Sequence, residues 1–86
     1  MKYYNLIVKG HCPYCIEAIS ILEQRQEQFI YTDMENCESM LKQTQDDINY
    51  NTVPMIWQVM VDIDGDQSVR FIGGCDALKE HFETQE

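Results

Sequence analysis

Positive charge is scarce in this sequence. Six Lys and Arg stand against 15 Asp and Glu, a formal net charge of −9. Nucleic acid and anionic membrane surfaces are bound by clustered Lys and Arg. No such cluster occurs, so no nucleic acid and no membrane partner is expected, and the acid surplus reads as solubility. Long apolar runs are also missing. None approaches the ~20 residues of a membrane span. The opening "MKYYNLIVKG" lacks the ~7–15-residue apolar region and small-residue cleavage site of a signal peptide, and reads instead as a first strand. Repeats, low-complexity segments and linkers are absent. The length of 86 residues predicts one domain over 1–86. An apolar content of 44% belongs to a globular chain rather than a disordered one. The expected location is cytoplasmic, where thiols stay reduced.

What the chain does have is alternating strand-like and helix-like segments. Tyr3 to Val8 contains the unbroken run Leu6-Ile7-Val8, the mark of a strand covered on both faces. Gly10 and Pro13 punctuate it, and Pro13 suits the first turn of a helix. From Pro13 to about Glu27 the pattern is helical, with Ile16, Ile19 and Leu22 on one face and Glu17, Ser20, Gln24 and Glu27 opposite. Phe29 to Thr32 reads as a second strand. A second helix is expected from about Glu35 to Asp47, with Met40, Leu41 and Ile48 inward. After the break "NTVP" (51–54), Met55 to Ile63 is a third strand, "DGDQ" (64–67) a turn, and Ser68 to Ile72 a fourth strand. Asp76 then caps a final helix holding Leu78 and Phe82. The predicted order is βαβαββα: an α/β fold whose mixed sheet has a parallel opening unit and an antiparallel closing hairpin.

Chemistry concentrates in "GHCPYCIEA", residues 10–18. Cys12 precedes the first helix and Cys15 lies in its first turn. Free N–H groups at a helix N-terminus carry partial positive charge and favour a thiolate. Cysteines so placed in Cys-x-x-Cys pairs have pKa values of about 3.5–7.5, against about 8.5 for a free thiol. Only the thiolate attacks a disulfide. Cys12 is therefore the candidate nucleophile and Cys15 the candidate resolving thiol. Lys9 adds positive charge beside the pair or is a plain loop residue, and His11 reads as a surface loop residue. Tyr14 either covers the sulfur or offers its ring to a substrate.

Metal is the competing reading of the pair. Structural zinc takes four ligands, usually from two paired motifs. Only one Cys-x-x-Cys is present; Cys37 and Cys75 are isolated, and His81 does not complete a site. "DIDGD" (62–66) opens like a calcium loop, but its twelfth position, counted from Asp62, is Gly73 instead of Glu. Those acids belong to the hairpin turn.

Four pieces in order and at matching separations resemble a glutaredoxin: "CPYC" at 12–15, Lys9 ahead of it, "TVP" at 52–54 and "IGGCDAL" at 72–78. The resemblance covers essentially the whole chain. The short length, the ending "GGCDALKEHF" and the acidic balance are similar to glutaredoxins encoded by bacteriophages. The resemblance implies a thioredoxin-like fold of four strands and three helices and glutathione-dependent thiol–disulfide exchange, with glutathione as co-substrate and no bound cofactor. It implies a cis bond before Pro54 and a glutathione site from Lys9, Tyr14, Thr52, Val53, Pro54, Gly74, Cys75 and Asp76. Val53 offers its backbone to the peptide of glutathione like an added strand. Gly73 and Gly74 let the backbone pass close to the site. Asp76 meets the γ-glutamyl ammonium, and the N–H groups of the last helix meet its carboxylate. Family members often carry a polar residue and then Asp here; this chain has Asp76 and then Ala77. Lys9 pairs with the glycyl carboxylate, with Lys42, Gln43 or Gln45 as a second partner. Cys75 is either packed or open to glutathionylation, and Cys37 is structural.

The expected partners are glutathione and disulfide-bearing or glutathionylated proteins, with ribonucleotide reductase as a client implied by the resemblance, and the expected state is a monomer. Two rivals stand beside this reading. A redoxin coupled to thioredoxin reductase would have no use for Lys9 and Asp76 as glutathione anchors. An iron–sulfur carrier would use Cys12 and glutathione as ligands between two chains, but Pro13 stiffens the loop against it.

Overall fold

The computed structural model describes residues 1–84. Strand β1 (Lys2–Val8) leads into helix α1 (Pro13–Gln24), strand β2 (Phe29–Asp33) and helix α2 (Glu38–Ile48). Strands β3 (Met55–Val61) and β4 (Gln67–Gly73) follow, and helix α3 (Cys75–Thr84) closes the order βαβαββα. The sheet order is β2-β1-β3-β4. β1 runs parallel to β2 and antiparallel to β3, and β3 and β4 form an antiparallel hairpin. Among the described residues no helix is long and apolar enough to cross a membrane.

The continuous run in β1 is explained by two cores. Tyr4, Leu6 and Val8 face one side, where they meet Cys15, Ala18 and Leu22 of α1 and Cys75, Leu78 and Phe82 of α3. Ile7 faces the other side, with Met55, Trp57 and Phe71, under Leu41 and Ile48 of α2. Register keeps the faces apart: Leu6 pairs with Ile56 and Tyr4 with Gln58.

Several boundaries and faces differ from those expected. The inward stripe of α1 is Cys15, Ala18 and Leu22, while Ile16 is 64% exposed. Small residues at 15 and 18 let the helix axis approach the sheet, and the stripe follows them rather than the bulkier Ile16. α1 stops at Gln24, short of Glu27. Gln26 takes a left-handed φ of 58°. Its N–H donates to Glu23 O and that of Glu27 to Leu22 O, each at 3.0 Å. This is a Schellman motif, hard to foresee because Gln fills the place glycine usually takes. α2 begins at Glu38, not Glu35, because Asp33 Oδ1 accepts the Glu35 N–H at 2.9 Å and holds that stretch in a turn. Met40 is 61% exposed, contrary to expectation; Leu41 is the buried residue. β3 ends at Val61, because Asp62 Oδ1 accepts from the N–H groups of Asp64 and Asp66 at 3.0 Å each. The hairpin turn therefore starts two residues early and leaves Ile63 fully exposed.

One polar group is deep in the core. Tyr4 is fully buried, and its hydroxyl lies 3.1 Å from His81 Nε2. Gln58 Nε2 donates to the same hydroxyl at 3.4 Å. The Tyr4 O–H is thereby left to donate to Nε2, which assigns a neutral imidazole with its proton on Nδ1. Burial, aided by Arg70 and Lys2, holds His81 below the ordinary imidazole range. Protonating it removes the acceptor and charges a buried ring. With its folded pKa below the unfolded ~6.5, His81 contributes stability above that pH, and the contribution is lost as pH falls below it. Thermal melts between pH 7 and 5 should show a decline for the wild type that His81→Leu flattens. Tyr4→Phe should cost about 1–3 kcal/mol at pH 7, because it leaves buried Gln58 and His81 groups unpaired.

Candidate active site

The first turn of α1 is built around sulfur. Cys12 is extended, at φ −92° and ψ 113°, and occupies the N-cap position, with Pro13 at the start of the helix. Its carbonyl accepts the first helical bond, from Ile16 N–H at 3.1 Å. Its Sγ takes the role a Ser or Asp oxygen usually plays and accepts the Cys15 N–H at 3.3 Å. The helix N-terminus thus points a backbone N–H directly at this sulfur. His11, at φ 61°, makes the turn into the motif and is exposed.

The two thiols have different surroundings. Cys12 is half-buried and Cys15 is buried at 2% exposure. Burial, with a smaller contribution from the neighbouring Cys12 sulfur, pushes the Cys15 thiol up to about 12. At neutral pH Cys15 is a protonated thiol. All four cysteines are free. Cys75 is buried at the start of α3, and burial raises its pKa as well. Cys37 is exposed ahead of α2. Among the described residues no three His, Cys, Asp or Glu side chains converge as metal ligands would.

The chain comes back to the thiols at Val53. The Val53–Pro54 bond is cis, as the resemblance implies. The Val53 carbonyl lies 4.0 Å from Cys12 Sγ, the outer limit of an S–H contact. Beyond it opens a groove of about 410 Å³ lined by Tyr14, Thr52, Val53, Pro54, Gly74, Cys75 and Asp76, together with Tyr50 and Ala77. Seven of the residues singled out in the sequence therefore share one groove with neighbours that were not. Asp76 sits within the first turn of α3 instead of capping it; the helix begins at Cys75, and Gly74 O accepts the Leu78 N–H at 3.0 Å. Gly73 has φ 124°, a conformation that favours glycine. Gly74 is needed for space, because a Cβ there would lie 2.8 Å from the Tyr50 hydroxyl.

Lys9 does not line that groove. It opens onto an adjoining cavity of about 680 Å³ with Lys42, Gln45, Tyr50 and Asn51, where Glu38 and Asp46 also line the wall. Of the three possible second partners, Lys42 and Gln45 are on this cavity and Gln43 is not. Lys2 pairs with Glu27 at 3.7 Å and Lys79 with Glu17 at 2.7 Å. The Arg25 guanidinium stacks over the Phe82 ring, 4.1 Å from its centroid. Among the described residues Lys9 and Lys42 have no carboxylate partner, and both face the same cavity. Tyr50 belongs to both spaces and was missed at the sequence level. Nothing in hydropathy or spacing marks it; its role comes from where the end of α2 lands.

The glutaredoxin family model matches residues 5–66. No curated protein matches the chain at a significant level. Among solved structures, the chain is similar to a buckwheat glutaredoxin in complex with glutathione, at TM-score 0.76 and 18% identity over 98% of this chain and 71% of that one. It is similar to the dithiolic glutaredoxin of Trypanosoma brucei brucei, at TM-score 0.71 and 23% identity over 98% and 80%. The holo form of glutaredoxin C1 from Populus tremula x tremuloides matches at TM-score 0.73 and 22% identity over 96% and 69%. These likenesses establish the thioredoxin-like fold, and the family match covers well over half the sequence. The chain belongs to the glutaredoxin family of thiol–disulfide oxidoreductases.

Proposed function

We propose that this protein uses glutathione as electron donor to reduce protein disulfides and glutathione mixed disulfides. The observation that carries the reading is the pair of lysines. In a chain of net charge −9, Lys9 and Lys42 turn to one cavity beside the thiol groove. A carboxylate fits between the two lysines, and Asp76 on the adjoining groove suits an ammonium. Glutathione carries both groups. One similar structure is a glutaredoxin–glutathione complex.

Cys12 attacks one sulfur of the target disulfide. A bond forms between Cys12 Sγ and that sulfur, the target bond breaks, and the departing sulfur leaves as a thiolate and takes a proton from water. With a protein disulfide, Cys15 then attacks Cys12 Sγ and releases the client as a dithiol; glutathione opens the resulting Cys12–Cys15 disulfide at Cys12 Sγ, Cys15 leaves as a thiolate and takes up a proton, and Cys12 is left glutathionylated. With a glutathione mixed disulfide, glutathione stays on Cys12 and the client thiol leaves. A second glutathione attacks the glutathione sulfur, restores Cys12 and departs as glutathione disulfide. Each disulfide reduced takes up two electrons: a protein disulfide consumes two glutathiones, and a glutathione mixed disulfide consumes one, because the other half of the glutathione disulfide comes from the substrate. The high pKa of Cys15 keeps it from competing for the first attack. Once Cys12 is tied up as a disulfide, its charge and hydrogen bond no longer hold the Cys15 proton on, and deprotonation becomes easier. Disulfide-bearing or glutathionylated proteins are the clients in this scheme.

Iodoacetamide at pH 7, followed by peptide mass mapping, tests the division of labour. Cys12 and exposed Cys37 should be alkylated quickly, while Cys15 and Cys75 stay unmodified. Fast labelling of Cys15 ahead of Cys12 would reverse the assignment. Turnover of a glutathione mixed disulfide, coupled to glutathione reductase and NADPH, tests the donor. Cys12→Ser should abolish activity and Cys15→Ser should retain it. Lys9→Ala and Lys42→Ala should each raise KM for glutathione substrates about 10-fold with little change in kcat, the effect of losing one charge-assisted hydrogen bond. A wild type inactive here but reduced by thioredoxin reductase would remove glutathione as the donor and leave the dithiol chemistry standing.

A further inference from the structure

Tyr50 stands at the junction of the two spaces that the glutathione reading needs. It lines the lysine cavity and the cis-proline groove alike. Three features hold it there. Asn49 takes a left-handed φ of 55° and ends α2. The Tyr50 N–H then donates to Gln45 O at 2.9 Å, which ties its backbone to the last turn of the helix. The ring packs edge-on against Phe71, with centroids 5.0 Å apart at 73°, and Phe71 in turn packs on Trp57. The backbone and the ring are both held, and only the hydroxyl is left without a partner among the described residues.

Its hydroxyl is positioned but not used. It lies over the Gly73–Gly74 backbone, 4.0 Å from where a Gly73 Cβ would be and 2.8 Å from where a Gly74 Cβ would be. Among the described residues, no hydrogen-bond partner holds that hydroxyl. A phenol fixed by its ring, with a free O–H at the rim of two cavities, has a low entropic cost of forming one more hydrogen bond. Gly74 is the complementary half of the arrangement, since any side chain there would push the phenol out of the passage.

We propose that Tyr50 is a positioning residue for glutathione-bearing disulfides. A peptide with a carboxylate between Lys9 and Lys42 and its other end against Asp76 must cross the Tyr50 ring. The ring supports the chain, and the hydroxyl hydrogen-bonds a peptide group as it passes Gly74. Tyr50 thereby selects disulfides long enough to fill both spaces over small neutral ones. This rests on the glutathione reading above.

Single-turnover oxidation of the reduced protein separates the possibilities. Glutathione disulfide and bis(2-hydroxyethyl) disulfide are each mixed with wild type, Tyr50→Phe and Tyr50→Ala. The oxidised Cys12–Cys15 form is followed by acid quenching and mass analysis. In this reaction Cys12 and Cys15 lose two electrons and two protons, and one disulfide becomes two thiols. With glutathione disulfide, the half-saturating concentration should rise about 10-fold in Tyr50→Ala and about 3-fold in Tyr50→Phe, with the plateau rate unchanged. Rates with the neutral disulfide should stay within about 2-fold of wild type, because that molecule reaches only the thiols. An equal loss on both disulfides would mean Tyr50 merely supports the fold, and the proposal falls. Unchanged half-saturation in both variants sinks it as well, while a wild-type preference for glutathione disulfide keeps the donor assignment intact. If the wild type shows no such preference, the glutathione reading fails and the role of Tyr50 fails with it. Tyr50→Phe keeps the packing on Phe71, so the hydroxyl is tested even if Tyr50→Ala does not fold.

Discussion

The contact between Cys15 N–H and Cys12 Sγ, at 3.3 Å, sets the terms for the rest of the molecule. It is a helix cap and the environment of the sulfur that the proposed function makes the nucleophile. A helix start needs an acceptor for its free N–H groups. A thiolate needs donors and partial positive charge. One sulfur meets both needs, so the chain places its chemistry and the start of α1 at a single residue. The interaction is stronger with a thiolate acceptor than with a thiol.

That arrangement holds only if α1 sits close to the sheet. The close stripe is Cys15, Ala18 and Leu22, all buried. Cys15 is thus the first member of the packing face and the second thiol of the motif. Its burial is what pushes its pKa to about 12, so the unequal behaviour of the two sulfurs follows from helix geometry. Cys12, one turn earlier and outside the helix, stays half-open, while Cys15 is drawn into the core. On the other side, the Val53 carbonyl approaches Cys12. Val53 packs against both cores, under α1 and under α2. The two cores therefore meet at Val53, whose carbonyl lies 4.0 Å from Cys12 Sγ.

Much of this was readable from residue order. Leu6-Ile7-Val8 announced a strand buried on both faces, and Pro13 announced a helix start directly after Cys12. The element order and the cis bond at Pro54 came out as expected. What could not be read depends on tertiary contacts or on uncommon residues in turn positions. Ile16 and Met40 have the hydropathy of core residues, but each sits one position off a stripe decided by what the helix docks against. Gln26 adopts a conformation that glycine usually supplies, so the end of α1 carried no warning. Asp76 fits an N-cap by type, yet Gly74 holds that position and the chain enters α3 two residues earlier than an Asp76 cap would set, at Cys75. Tyr50 had no signature at all: its position is set by the Asn49 turn and by Phe71, which lies 21 residues further along.

Charge makes the same point about local and global properties. A net charge of −9 implies repulsion of anions from the molecule as a whole. Yet a group in the site feels mainly charges within a Debye length, about 8 Å at physiological salt. Within that range Lys9 and Lys42 share their cavity with Glu38 and Asp46 but, among the described residues, form no direct ion pair, so the local balance of charge is near neutral where the total is strongly negative. Lys79, by contrast, is held by Glu17 at 2.7 Å and offers little to a ligand. An acidic surface with two unpaired lysines in one cavity excludes anions that fail to reach that cavity. Under the glutathione reading, a carboxylate that enters the cavity meets two lysines not engaged in ion pairs, so scarce positive charge counts most where two such side chains are gathered.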